Sequence, residues 1–179
     1  MKIILPIVLL FLFTTTKAQI LKGSWMAGGS AAFTSTTLPS ADQKTMSVKL
    51  SGNAGYFLVN KLAIGLSPEF EFTSFRERDN PRQQGTVAAV GPFIRYYVLQ
   101  AAAKTNIFIE STYAFGVQKI GSIDRYTTGT LAFSTGSAVF LTPSVALQFI
   151  VGYQVRKTER NLYPTMRNIN AGIGFQIHF

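Results

Sequence analysis

Past its first two dozen residues the chain alternates apolar and polar positions with a period of two. The pattern is cleanest at the C-terminal end. Ile169, Ala171, Ile173, Phe175, Ile177 and Phe179 are apolar, and Asn168, Asn170, Gly172, Gly174, Gln176 and His178 lie between them. Successive side chains of a strand point to opposite faces, so this spacing predicts a strand with one oily and one polar or small face. Seven earlier segments fit the same template, at about 23–33, 46–57, 62–73, 86–98, 106–117, 129–140 and 145–155. Their oily faces include Trp25 and Phe33; Val48 and Leu50; Phe70 and Phe72; Val90 and Ile94; Ile109 and Phe115; and Phe149 and Val151. The sixth segment has an ambiguous face, and the reading adopted puts Leu131, Phe133 and Val139 on its oily side. No helical periodicity competes. After the N-terminal segment, no stretch reaches the roughly 18 consecutive apolar residues of a membrane helix.

The connections alternate in length. Leu58–Lys61, Leu99–Thr105 and Leu141–Ser144 are short, and the other connections are expected to run to about a dozen residues rich in Ser, Thr, Pro, Asn and charge. Short turns at one end and long loops at the other, joining strands of about ten residues, mark a transmembrane barrel. The polar faces agree. They carry Gly, Ser, Ala, Asn and Gln where a water-facing surface would be rich in Lys and Glu. The oily faces carry no charge, and Arg or Lys there would cost about 2–4 kcal/mol at the bilayer midplane. The expected fold is all-β: a closed, antiparallel, up-and-down transmembrane β-barrel of eight strands. Tyr56, Tyr96 and Phe179 would ring the short-turn rim, and Phe72, Phe115, Phe133 and Tyr153 the other.

Composition narrows the function. Among 179 residues there is no cysteine, which excludes disulfides, thiol chemistry and Cys-ligated metal. The net charge of +9 could suggest nucleic acid, but the N-terminus argues otherwise. Met1-Lys2, an apolar run over Ile3–Phe13 and a polar stretch ending Lys17-Ala18 form a secretory leader, with cleavage expected after Ala18. The expected organisation is a leader over 1–18 and one barrel domain over 19–179. Of 17 basic side chains Lys2 and Lys17 leave with the leader, so 15 face 8 acids, net +7. A secreted chain has no expected nucleic-acid partner.

Three stretches carry a family resemblance. They are Gly55-Tyr56-Phe57-Leu58-Val59-Asn60-Lys61-Leu62-Ala63-Ile64-Gly65-Leu66, Gly91-Pro92-Phe93-Ile94-Arg95-Tyr96-Tyr97 and Phe140-Leu141-Thr142-Pro143-Ser144-Val145-Ala146-Leu147. With them the chain resembles the small eight-stranded outer-membrane β-barrel domains of Bacteroidota-type bacteria, similar in architecture to OmpA and OmpX. The resemblance implies residence in the bacterial outer membrane with both termini periplasmic. It implies a monomer surrounded by outer-membrane lipid and lipopolysaccharide. It also implies that the terminal Phe179 is the signal read by the barrel-assembly machinery. It says little about activity.

Parity places Lys49, Glu69, Glu71, Arg95 and Glu110 inside the barrel, where buried charge must be paired. Rough hairpin registers put Lys49 opposite position 70, between Glu69 and Glu71, and Arg95 diagonal to Glu110. Two ionic clusters are therefore expected, as a polar filling of the lumen. Basic residues in the long connections, Arg78, Arg82, Arg156, Lys157 and Arg160, would meet lipopolysaccharide phosphates. The single histidine, His178, lies at the short-turn end, away from an outer rim where lipid A could be modified. No metal spacing, phosphate loop or nucleophile elbow appears, and no catalytic residue or cofactor is expected. The leading function is a non-enzymatic barrel with a structural or surface-interaction role and four longer loops displayed outward. A small porin-like channel is the alternative, and a lipid A-modifying enzyme is less favoured.

Overall fold

A computed structural model describes residues 20–38, 43–77, 80–121, 125–158 and 165–179. Eight strands run in chain order: β1 Trp25–Leu38, β2 Gln43–Val59, β3 Leu62–Glu77, β4 Asn80–Tyr97, β5 Thr105–Ile120, β6 Tyr126–Phe140, β7 Val145–Thr158 and β8 Met166–His178. Each pairs antiparallel with its neighbour, and β8 returns to β1, closing the barrel. Closure leaves no unpaired edge within the lipid-spanning part.

The faces are inverted relative to a soluble barrel. Leu66, Phe72, Phe115, Phe133, Val151 and Ile173 all stand more than half exposed on the outside. Arg95, Gln148, Gln154 and Gln176 are buried within. On β6, Leu131, Phe133 and Val139 share the outward parity, while Thr128, Thr130 and Ala138 face in.

The strands are longer than their apolar alternation. β1 runs to Leu38 instead of 33, β3 to Glu77 instead of 73, and β4 begins at Asn80 instead of 86. Most of what reads as long loop is therefore continued hairpin. The reason is physical: above the lipid neither face must be apolar, so the alternation fades while the backbone ladder continues. β3 has 16 residues, whereas about ten suffice to cross a bilayer.

Registers differ from expectation in two places. Lys49 lies opposite Glu71, and Arg95 lies directly opposite Glu110. Pro68 and Pro92 sit inside strands and face out. Pro68 has no N–H to give to Gly52, and the Ser67 hydroxyl bonds that carbonyl instead at 2.8 Å.

Candidate functional site

The lumen is filled in tiers. Nearest the short turns, Arg95 donates from Nε to Glu110 Oε2 at 2.7 Å and from Nη1 to Gln176 Oε1 at 3.2 Å. Its guanidinium lies 4.4 Å from the centre of the Phe108 ring. In the middle, Lys49 Nζ meets Glu69 Oε1 at 2.8 Å and donates to Gln154 Oε1 at 3.3 Å. Higher still, Arg156 Nη2 bonds Glu71 Oε2, and its Nε reaches Thr130 Oγ1 at 3.1 Å. These three acids and three bases neutralise one another. Between them remains a cavity of about 60 Å³, bordered by Ser51, Asn53, Glu69, Arg95 and Glu110. It has polar walls and room for a few waters.

Arg156 corrects the sequence reading. It is 4% exposed and points into the lumen, whereas the sequence pattern puts it in an exposed connection. β7 continues to Thr158, three residues beyond the expected end, and the alternation that turns Val151 and Tyr153 outward turns Arg156 inward. Glu71, expected beside Lys49, takes Arg156 as its ion-pair partner. The next residue, Lys157, is exposed. Arg78 and Arg160 lie outside the described residues. Arg82 falls in β4, and its side chain is likewise not described.

Sequence reasoning missed the floor. At the short-turn end the inner face changes from polar to aromatic: Phe57, Phe93, Tyr97, Phe108 and Phe140 are buried there with Met26 and Ala138. His178 lies among them, its ring 5.5 Å from Phe140, 5.8 Å from Phe57 and 6.0 Å from Tyr97. A signal was present. Phe93 lies over the cross-strand pair Gly55 and Gly65, and Phe108 lies over its partner Gly136. A Cβ at Gly55 would stand 2.8 Å from the Phe93 ring and one at Gly136 2.9 Å from Phe108, closer than packing allows. Inward aromatics paired with inward glycines mark flat rings laid across the wall.

A strap from the N-terminal side completes the floor. Ile20 is fully buried, and its carbonyl accepts from Lys61 N at 3.0 Å. Gly23, at φ 90°, turns the strap so that its N–H reaches Phe57 O, while Phe57 N bonds Ser24 O. These bonds land where the β2–β3 register shifts, between Phe57 and Val59. The terminal Phe179 exchanges backbone bonds with Trp25, and its ring stands outward, 63% exposed.

The opposite end is open-edged. β1 pairs with β8 only as far as Phe33 and Ala171, although β1 continues to Leu38 on its β2 side. β4 pairs with β5 only from Gly85, although it pairs with β3 back to Asn80. Among the described residues, Thr34–Leu38 of β1 and Asn80–Gln84 of β4 thus pair on one side only. One edge carries Pro81 and Arg82, which oppose pairing. The other, Thr34–Leu38, carries neither charge nor proline.

A closed eight-stranded antiparallel barrel with an apolar outside and a polar, charge-paired inside has the architecture of small outer-membrane barrels. Solved structures of that kind share the fold. Neisserial surface protein A (NspA) is 19% identical with a TM-score of 0.59, over 88% of this chain and 98% of that one. The outer membrane protein OprG from Pseudomonas aeruginosa is 13% identical with a TM-score of 0.58, over 92% and 99%. The N-terminal β-barrel domain of Pseudomonas aeruginosa OprF is 13% identical with a TM-score of 0.55, over 88% and 98%. No protein-family model matches the chain, and no curated protein does.

Proposed function

We propose that this protein is an integral outer-membrane barrel without enzymatic activity, working through its surface. The observation that carries the reading is the closed lumen: charge pairs fill its middle and an aromatic floor seals one end. In this reading the short turns and both termini face the periplasm. The β1–β4 sheet and its connecting segments face outward, where the uncharged edge Thr34–Leu38 offers backbone groups to an extended partner segment. Bacteroidota-type membership, resting on the three stretches above, and recognition of Phe179 by the assembly machinery belong to the same proposal. Purified protein in planar bilayers should show no discrete conductance steps. Steady unitary steps would overturn the closed-lumen reading in favour of a small channel. His178 sits in the floor, away from the outer rim, so the mass spectrum of lipid A should be the same with and without the protein.

Lipopolysaccharide phosphates are the proposed neighbours of the outer rim. The outward-facing Lys119, Lys157 and Arg167 are exposed there. Arg78, Arg82 and Arg160 belong to the same proposal on sequence alone. Neutralising Lys119, Lys157 and Arg167 together should weaken lipopolysaccharide binding about tenfold, by analogy with charge-assisted pairs worth about 0.5 kcal/mol or more each. Unchanged affinity would remove these three from the interface.

A further inference from the structure

Charge is partitioned along the barrel axis. In the lumen the described ion pairs balance. The short-turn end, all of whose turn residues are described, carries Lys22, Lys61 and Lys104 and no Asp or Glu. The three lysines stand on consecutive segments: the N-terminal strap, the β2–β3 turn and the β4–β5 turn. The segments are tied together. Lys22 N donates to Asn60 Oδ1 at 2.9 Å, and Lys61 Nζ reaches Val98 O at 3.2 Å.

Lys61 breaks a local rule. Among the described residues it is the one non-glycine with positive φ, at 72°. A hairpin turn at that position favours glycine or asparagine, because a Cβ makes the left-handed conformation costly. The backbone there is locked from both sides, since Lys61 N bonds Ile20 O and Lys61 O accepts from Tyr97 N at 2.8 Å. The side chain then lies along the wall, its ammonium 5.4 Å over the Tyr96 ring. Trp25 and Tyr56, packed edge to face with centroids 5.2 Å apart, stand at the same rim. An ammonium held at the level of interfacial aromatics, on turns that carry no Asp or Glu, is placed where phospholipid headgroups lie.

We propose that this rim is a binding site for the phosphate of an anionic phospholipid, with Lys61 as its centre and Lys22 and Lys104 flanking it. The inference rests on the membrane-barrel reading above. The test is to incorporate the mature chain into nanodiscs of equal phosphatidylglycerol and phosphatidylethanolamine. The protein is then extracted in mild detergent, and the lipid retained is measured by mass spectrometry. Phosphatidylglycerol should be enriched at least threefold. Lys61→Arg should keep that ratio. Lys61→Gly relieves the turn and so preserves folding, yet should bring the ratio close to one. Arg125→Gln, at the opposite end of the barrel, should leave it unchanged. Equal retention of both lipids by the wild type, enrichment that survives Lys61→Gly, or loss that follows Arg125→Gln would each overturn the proposal. A chain that enters the discs without lipid preference overturns this site alone. A chain that fails to enter them overturns the barrel reading as well.

Discussion

Arg95→Glu and Glu110→Arg should each destabilise the barrel severely, and the two together should restore most of the loss. Arg95 is 1% exposed, its Nε 2.7 Å from the Glu110 carboxylate directly across the β4–β5 ladder. Each single change places two like charges face to face away from solvent. Breaking a buried pair costs about 3–5 kcal/mol, because the remaining charge loses its partner and gains no water. The exchanged pair regains its attraction in the same geometry. Recovery should be incomplete, because the wild-type guanidinium also lies over Phe108, a contact worth about 0.5–2 kcal/mol that the exchange moves. Urea unfolding followed by the heat-dependent gel mobility of the folded barrel measures all three. If the double variant is no more stable than either single one, the two residues do not act as a pair.

Val151→Arg should cost about 2–4 kcal/mol, and Val155→Arg only about 0–1. Both face outward on β7, but they sit at different depths. Val151 is 54% exposed and lies midway between the short turn at Val145 and the exposed Lys157. Val155 lies one step from the rim, where a guanidinium can reach headgroups by extending its side chain. The comparison holds the substitution constant and varies only the distance from water. Reversible unfolding in lipid vesicles gives both values. Equal small losses at the two positions would mean that no hydrocarbon surrounds the outer face.

How much could be read from the chain follows from which environment is demanding. Lipid tolerates no charge, so the outward residues of all eight strands announce themselves, including Leu131 and Phe133 on the least regular one. The lumen accepts Ser, Gly, Gln or Phe as long as volumes fit and charges are paired. For that reason Phe57, Phe93, Phe108 and Phe140 do not stand out along their own strands. Their meaning lies across the ladder, in Gly55, Gly65 and Gly136, and only the register brings these together. Arg156 shows the complementary failure. Its parity matches the inward set, but the apolar alternation that marks the strand stops at 155. Hydrogen bonding does not stop there, so the charge turns inward to Glu71. The ion pair of Arg95 with Glu110 needed only parity and approximate register, because a one-residue error leaves such long side chains within reach.

The inversion of faces is best tested on β7, in a protein whose natural lack of cysteine makes single-cysteine labelling clean. Spin labels placed one at a time from Ala146 to Gln154 in reconstituted bilayers would report collision with oxygen, which concentrates in lipid, and with a water-soluble nickel chelate. Oxygen access should peak at Leu147, Phe149, Val151 and Tyr153 and fall at Ala146, Gln148, Gly152 and Gln154. Peaks at the second set, or nickel access at the first, would contradict the placement of apolar side chains in lipid.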